Sequence, residues 1–525
     1  MKNKKLYGFL IMILCLTGIV FLKHSDVEAA TYYVDTNGSD ANSGLTESQP
    51  WQSLKKVNDH KFLPGDKILF KSGSTWNGQL KPQGNGSKDN SIEINKYGGD
   101  KKPIINGNGT NNYSRNSGTV MLVNQHDWTI KNLEVTNFSN AIRSQRSGIL
   151  VINNSNTTQS NIVIDSNYVH DVNSDTQVNG AWKVTGGIIL IGINEDLNGR
   201  MNFNRNFGFD NVYVKNNHVN NVSTAGIRNK STLLNIFGSE SYPKVNKNIS
   251  YENNDVENVF GDGMIISEIS NNGIVRNNKV NKFCNADTKY NYAGLWVMAS
   301  DNVLVERNEV SNGRYGNNDG TAFDIDLNCN NVVVQHNYSH DNARGNVLFM
   351  DNAKNGIFRY NVSVNDGWDS NKLIFYLPKV TEEKVKIYNN LFITSPTTSE
   401  IIKSNDAQRA LDFVNNVVIS QNPKLTAYNR TDMTGDLQMK NNAIYGFSDK
   451  WFEGNNNIRL KNLDSVNKLI KTSEATPSGI NKLDITELTN MPELKAAGLP
   501  MASNLKDFYG YPVASEPAIG PVEFK

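Results

Sequence analysis

The chain has 525 residues and only three cysteines, and one of these, Cys15, lies in the apolar N-terminal stretch. Cys284 and Cys329 are too few for a disulfide framework in so long a chain. Both read as buried spacers, and neither sits in a pattern that suggests a nucleophile. A charge excess of one sign is also missing. Lys plus Arg is 53 against Asp plus Glu at 52, a formal net charge of +1. That balance supplies no basic field for nucleic acid, and no polybasic run exists to read an anionic membrane surface. No metal-ligating Cys/His set, nucleophile elbow or phosphate loop is present. Hydrophobic residues make up 38% and charged residues 20%, which fits a thin core under a large polar surface.

What the chain has in quantity is one short phrase, repeated. It reads Asn161-Ile162-x-Ile164-x-x-Asn167, then Asn211-Val212-x-Val214-x-x-Asn217. It returns at Asn254, Asn278, Asn308, Asn337, Asn361, Asn390, Asn416 and Asn442. Three places before each stands an apolar residue: Ile164, Val214, Tyr251, Val275, Val305, Val334, Phe358, Ile387, Phe413 and Met439. Most spacings lie between about 24 and 37 residues, the period of a stacked-coil protein. The local alternation is that of strands, and the strands lie too close together for crossover helices. Each coil therefore turns back through Asn, Gly and Asp corners and stacks on the last. The apolar position is expected to form a buried column. The asparagine is expected at the bend, in the left-handed conformation it tolerates, with amides bonded from coil to coil. It reads as structural.

A second strand precedes each phrase: Gly148-Ile149-Leu150-Val151, Gly187-Ile188-Ile189-Leu190, Gly263-Met264-Ile265-Ile266 and Gly294-Leu295-Trp296-Val297. Later copies are Ala322-Phe323-Asp324-Ile325-Asp326 and Val347-Leu348-Phe349-Met350-Asp351. Two or three such strands per coil make an all-β chain, a parallel β-helix. The pattern resembles the right-handed parallel β-helix of the pectate-lyase-like superfamily. Tyr32-Tyr33-Val34-Asp35, Asn37-Gly38-Ser39-Asp40 and Pro50-Trp51-Gln52-Ser53-Leu54 look like the first strand and capping helix of its secreted members. Pro64 to Phe70, Lys102 to Gly107, and the ending from Asp507 to Gly520 also resemble them. One fold hosts many chemistries, so the resemblance bears on fold more than on substrate.

Lys2, Lys4 and Lys5, an apolar stretch from Leu6 to Leu22, and Val27-Glu28-Ala29-Ala30 have the layout of a secretory signal. Residues 1–30 are read as that signal. Residues 31–115 form an N-terminal cap with the first coils, 116–447 the β-helix repeats, and 448–525 an irregular closing segment. A helix around Gln52 to Asn58, with Leu54 and Val57 on one face, would cover the open first coil. Asn481 to Ala497 reads as partly helical. Insertions at Asn173 to Thr185 and Asn194 to Asp210 interrupt the period; in repeat proteins these collect on one face, often the binding face.

Chemistry is expected on the outward side of the strands, where alternation decides direction. With Phe323, Ile325 and Leu327 in the core, Asp324 and Asp326 point outward. Neighbouring coils then present Trp296 and Met298, Phe349 and Asp351, and Arg228. Asp is a poor strand residue, so two on one strand carry a cost. Alternate residues lie about 6.6 Å apart and coils about 4.8 Å apart. Asp324, Asp326 and Asp351 are therefore candidate acid, base or nucleophile in glycosidic cleavage. Arg344 and His340 are further catalytic candidates, although His170-Asp171 shares the phase of His340-Asp341 and argues for corner structure. Trp296 and Phe349 would offer a flat apolar contact to a sugar ring, with Arg228 and Lys183 beside them. The leading reading needs no cofactor. In an alternative, Asp319, Asp324 and Asp326 collect calcium for a lyase or epimerase of uronic-acid polymers. A third reading is a non-catalytic glycan-binding or adhesive protein. The expected partner is an extracellular polysaccharide. The expected protein is a secreted or cell-surface monomer, without nucleic acid and without stable membrane insertion once the signal is removed.

Overall fold

The computed structural model describes residues 28–524 apart from 111–116, 141–144, 175–182, 195–199, 201–206, 235–239, 287–289, 316–319, 351, 370–372, 378–383, 405–409, 429–435 and 476–477. Three long parallel sheets run the length of the molecule. The first begins at Thr31–Val34 and ends at Leu437–Lys440; the second runs from Thr75–Asn77 to Ile458–Arg459; the third runs from Ser117–Val123 to Thr426–Tyr428. One coil gives a strand to each in turn, as Val303–Glu306, Glu309–Ser311 and Thr321–Ile325 do. The coils wind as a right-handed parallel β-helix, the hand that parallel crossovers take.

The apolar column forms as expected. Ile164 pairs with Val214, Val214 with Tyr251, Tyr251 with Val275, Val275 with Val305 and Val305 with Val334. The series continues through Phe358, Ile387 and Phe413 to Met439. All are buried in one core. The asparagines that follow make a second column. Asn217 Nδ2 donates to Asn254 Oδ1 at 3.0 Å and to the Ile164 carbonyl at 2.9 Å. Asn308 does the same with Asn337 and Val275. Each amide thus ties the coil before it to the coil after it, and the ladder reaches Asn457.

The bend is not where the sequence reading puts it. The left-handed residue is the one before each ladder asparagine: Asn216 (φ 55°), Asn253 (φ 55°), Arg307 (φ 54°), His336 (φ 55°) and Tyr360 (φ 51°) among them. A ladder amide must point along the axis from inside the wall, so its own backbone stays ordinary and its neighbour takes the strain.

Glycines start many third-sheet strands for a steric reason. A Cβ on Gly226 would lie 2.4 Å from Val256 Cγ1, and one on Gly263 would lie 2.3 Å from Val280 Cγ1. The third sheet therefore seats closely against the valines of the second.

Both ends are covered. The helix Leu54–Asp59 buries Leu54 and Val57 over the first coil, and Ser53 caps it by accepting the Lys56 N–H at 3.1 Å. At the far end a helix, Leu463–Ala475, appears that the sequence reading lacked. The partly helical reading of 481–497 is borne out by short 3-10 helices at Ile480–Lys482, Thr486–Asn490 and Pro492–Leu494. The tail then returns over the last coils: Asn389 Nδ2 donates to the Ala518 and Gly520 carbonyls. Cys284 and Cys329 are both buried and neither forms a disulfide among the described residues; burial pushes the Cys329 thiol up. The segment read as a signal, save Glu28 to Ala30, lies outside the described residues. Among the described residues no helix is long and apolar enough to cross a membrane.

Candidate active site

The register of the third sheet assembles the site. Ile227, Met264, Leu295, Phe323 and Val347 pair in succession and face the core. The partners beside them, Arg228, Ile265, Trp296, Asp324 and Leu348, form a column on the opposite face. Two residues further along lie Lys230, Met298, Asp326 and Met350. All of these except Ile265 line a cavity of about 330 Å³, with Lys183, Tyr242, Tyr290, Asn291 and Leu327 closing its walls. A larger cleft of about 740 Å³ beside the N-terminal cap holds a single acid, Asp59, and lacks any carboxylate pair. Chemistry, not size, selects between them.

Asp324 and Asp326 thus point out of the core as expected, but into a walled pocket: they are 3% and 7% exposed. Their attachment points lie about 6.6 Å apart along the strand. The Asp326 N–H donates to the Val297 carbonyl at 2.8 Å, and Asp326 Oδ1 accepts the Leu327 N–H at 2.7 Å. That bond turns the chain as the strand ends at Ile325, so Leu327 leaves the core and reaches the pocket rim, half-buried.

Phe349 is a correction. It pairs with Ile325 and is wholly buried in the core. The outward residues of that strand's coil are Leu348 and Met350, which line the pocket. Phe349 cannot offer a ring to a sugar. Asp351 and Asp319 lie outside the described residues.

His340 and Arg344 do not join the pocket lining. The coil turns a corner between Asp326 and His340, which stands on the second sheet in the strand Tyr338–His340. It stacks on Tyr338 at 4.6 Å, bonds Asp341 at 2.8 Å and lies 3.6 Å from Glu309. Burial works against its charge, but Asp341 and Glu309 outweigh that and raise its pKa to about 9. The sign follows directly. The folded pKa lies above the ordinary 6.5, so this charge cluster stabilises the fold fully below about pH 6.5 and loses its effect as pH rises through 9. His340→Gln should therefore be less stable than the parent by a few kcal/mol at pH 6. In denaturant titrations the gap should narrow by pH 10; a gap independent of pH would contradict the cluster. Arg344 packs over Tyr315 at 5.3 Å in the turn that enters the Gly345–Phe349 strand.

Lys183 and Arg228 do line the pocket. Lys183 lies over the rings of Tyr292 at 4.1 Å and Trp296 at 4.7 Å. The indole is 6% exposed, so it forms pocket wall and is not an open platform. Lys183 Nζ and Arg228 Nη1 approach one carboxylate oxygen of Asp262, at 3.9 and 3.8 Å. Asp262 is fully buried and its other oxygen accepts the Ala293 N–H at 3.1 Å. Lys230 lies over Tyr242 at 5.5 Å. Behind it, Glu268 accepts hydrogen bonds from Ser231 N–H and Ser267 Oγ, and burial raises its pKa to about 7. Sequence reasoning missed Lys230, although it stands two places after Arg228 and shares its direction. It also missed Asp262, whose one signal is an acid between Gly261 and Gly263.

Of the three acids in the calcium reading, Asp319 lies outside the described residues, while Asp324 and Asp326 line the pocket. Calcium takes several oxygen ligands, whereas the pocket sets Asp324 and Asp326 among Lys183, Arg228 and Lys230. Among the described residues no group of three His, Cys, Asp or Glu side chains could hold a metal ion.

The lacto-N-biosidase of Bifidobacterium longum subsp. longum is 28% identical over 520 residues, spanning 83% of this chain and 32% of its own length. The chain thus spans about a third of that curated relative. The crystal structure of the GH136 lacto-N-biosidase from Eubacterium ramulus, a selenomethionine derivative, superposes with a TM-score of 0.60 at 24% identity over 80% of this chain and 68% of that one. The native form gives 0.55 at 23% identity, with 79% and 68% covered. This likeness shows the fold. No family model matches the chain.

Proposed function

We propose that this protein hydrolyses a glycosidic bond held in the third-sheet pocket, with Asp324 and Asp326 as the reacting pair. The observation that carries the reading is two carboxylates two residues apart, Asp324 in the strand Thr321–Ile325 and Asp326 just past its end, both lining one walled pocket. The lacto-N-biosidase likeness supports the same reaction type. Asp326 accepts a backbone N–H at 2.7 Å and is suited to be the ionised member, attacking the anomeric carbon or activating water. Asp324 stands between Trp296 and Leu348 and is suited to protonate the departing oxygen. Trp296, Met298, Leu348 and Met350 exclude water around them. The protein is exported behind its N-terminal leader and acts as a monomer on an extracellular glycan.

The test is a panel of neutral and acidic polysaccharides and oligosaccharides, each incubated with and without a chelator. Hydrolysis gives new reducing ends, no ultraviolet-absorbing product, and no response to chelation. Unsaturated uronate products would place the reaction among the lyases. Retention of glycan with no change in chain length would support the adhesive reading instead.

A further inference from the structure

The pocket has two ends, and the hydrolytic pair uses one. Arg228 stands three coils from Asp324 in the same outward column, roughly 14 Å away at about 4.8 Å per coil. Beside it are Lys230 and Lys183. All three cations line the cavity and are 2–5% exposed. Removing a cation from water costs several kcal/mol unless an anion compensates it. Asp262 and Glu268 stand beside these cations, and Asp324 and Asp326 line the same cavity. Asp262 is shared by Lys183 and Arg228 at 3.9 and 3.8 Å, beyond hydrogen-bond reach of either. Glu268 acts on Lys230 and Arg228, and burial raises its pKa. Arg228 Nε and Nη1 have no hydrogen-bond partner among the described residues, and neither has Trp296 Nε1. A buried donor without an acceptor is costly, so such a group signals an acceptor to come.

We propose that this end of the pocket binds an oxyanion carried on a sugar, a carboxylate or a sulfate, held by Arg228 with Lys183 and Lys230 around it. As a statement about substrate it rests on the hydrolytic reading of Asp324 and Asp326; as a binding site it stands without that reading. The charge arrangement also orients the glycan. Asp326, the ionised member of the pair, repels an anion, so the acidic group lies at the Arg228 end while the scissile bond lies at the aspartate end. A guanidinium matches the planar carboxylate better than an ammonium does.

The experiment is calorimetric titration of the intact protein with glucuronate, galacturonate and galactose 6-sulfate, with glucose and galactose as neutral controls. Acidic sugars should bind at least tenfold more tightly than neutral ones, and the two uronates against the sulfate distinguish the sources of the anion. Arg228→Gln should abolish that preference, Arg228→Lys should keep part of it, and Asp324→Asn should keep it in full. Because Arg228→Gln leaves Asp262 short of a cation, Lys230→Gln with an unchanged circular dichroism spectrum provides a second test. Equal affinity for neutral and acidic sugars overturns the proposal. So does a preference untouched in both variants. Acidic sugars that bind while no glycan in the panel is cleaved would overturn the hydrolytic reading and leave this site standing.

Discussion

Asp326→Asn is expected to lower the hydrolytic rate by about 10²–10⁴-fold, the range set by the loss of a positioned acid or base. Asp324→Asn should do the same. Both changes keep the side-chain shape, so the circular dichroism spectrum and melting temperature should hardly move. In Asp326→Asn the amide oxygen can still accept the Leu327 N–H, and the strand end keeps its turn. What disappears is the negative charge that attacks or deprotonates. In Asp324→Asn the lost function is the proton for the departing oxygen. The two losses separate on substrates whose leaving group needs no proton: such a substrate should restore much of the rate to Asp324→Asn and little to Asp326→Asn. The measurement is initial rate on any glycan that the panel identifies, with an activated aryl glycoside of the same sugar for the comparison. Full activity in both variants would move the reaction to another part of the molecule.

Val305→Asp should be the most damaging single change to the fold. Val305 is wholly buried, paired to Val275 below and Val334 above in the central column. An aspartate there finds no cation among its column neighbours, and an unpaired buried charge destabilises by more than about 4 kcal/mol. The damage should spread, because Asn337 Nδ2 donates to the Val305 carbonyl at 3.0 Å and to Asn361 at 3.0 Å. Distorting one carbonyl therefore loosens the ladder on both sides. Thermal unfolding followed by circular dichroism, with limited proteolysis to map the opened coils, checks this. A variant that melts within a few degrees of the parent would mean the column does not carry the core.

The column itself was legible in the sequence because strict alternation and a fixed distance to the next asparagine both mark Val305. The same alternation gave the direction of Asp324 and Asp326, since Phe323 and Ile325 on either side leave no doubt about which face is apolar. It failed one coil later. Val347, Leu348, Phe349 and Met350 are all apolar, so period two has no sign there, and only the pairing of Phe349 with Ile325 decides that Phe349 turns inward. The glycosidase candidates Arg344 and His340 are close to Asp326 in sequence, but a corner lies between them and a linear reading does not show it. The cation end of the pocket was half visible. Arg228 and Lys183 could be named by charge, whereas Asp262 and Glu268 acquire meaning only when separate coils are stacked. The bend was misplaced by a single residue, because the pattern marks where asparagine recurs without showing that its amide faces inward.

The amide ladder has one further consequence. Because every asparagine binds both neighbours in the same way, the stack accepts a change of length only in whole coils. The gap between the Arg228 coil and the Asp324 coil is therefore a ruler graduated in steps of about 4.8 Å. Gain or loss of one coil between them would keep the pattern of the asparagine ladder and change the distance from the Arg228 mark to the Asp324 mark by one step.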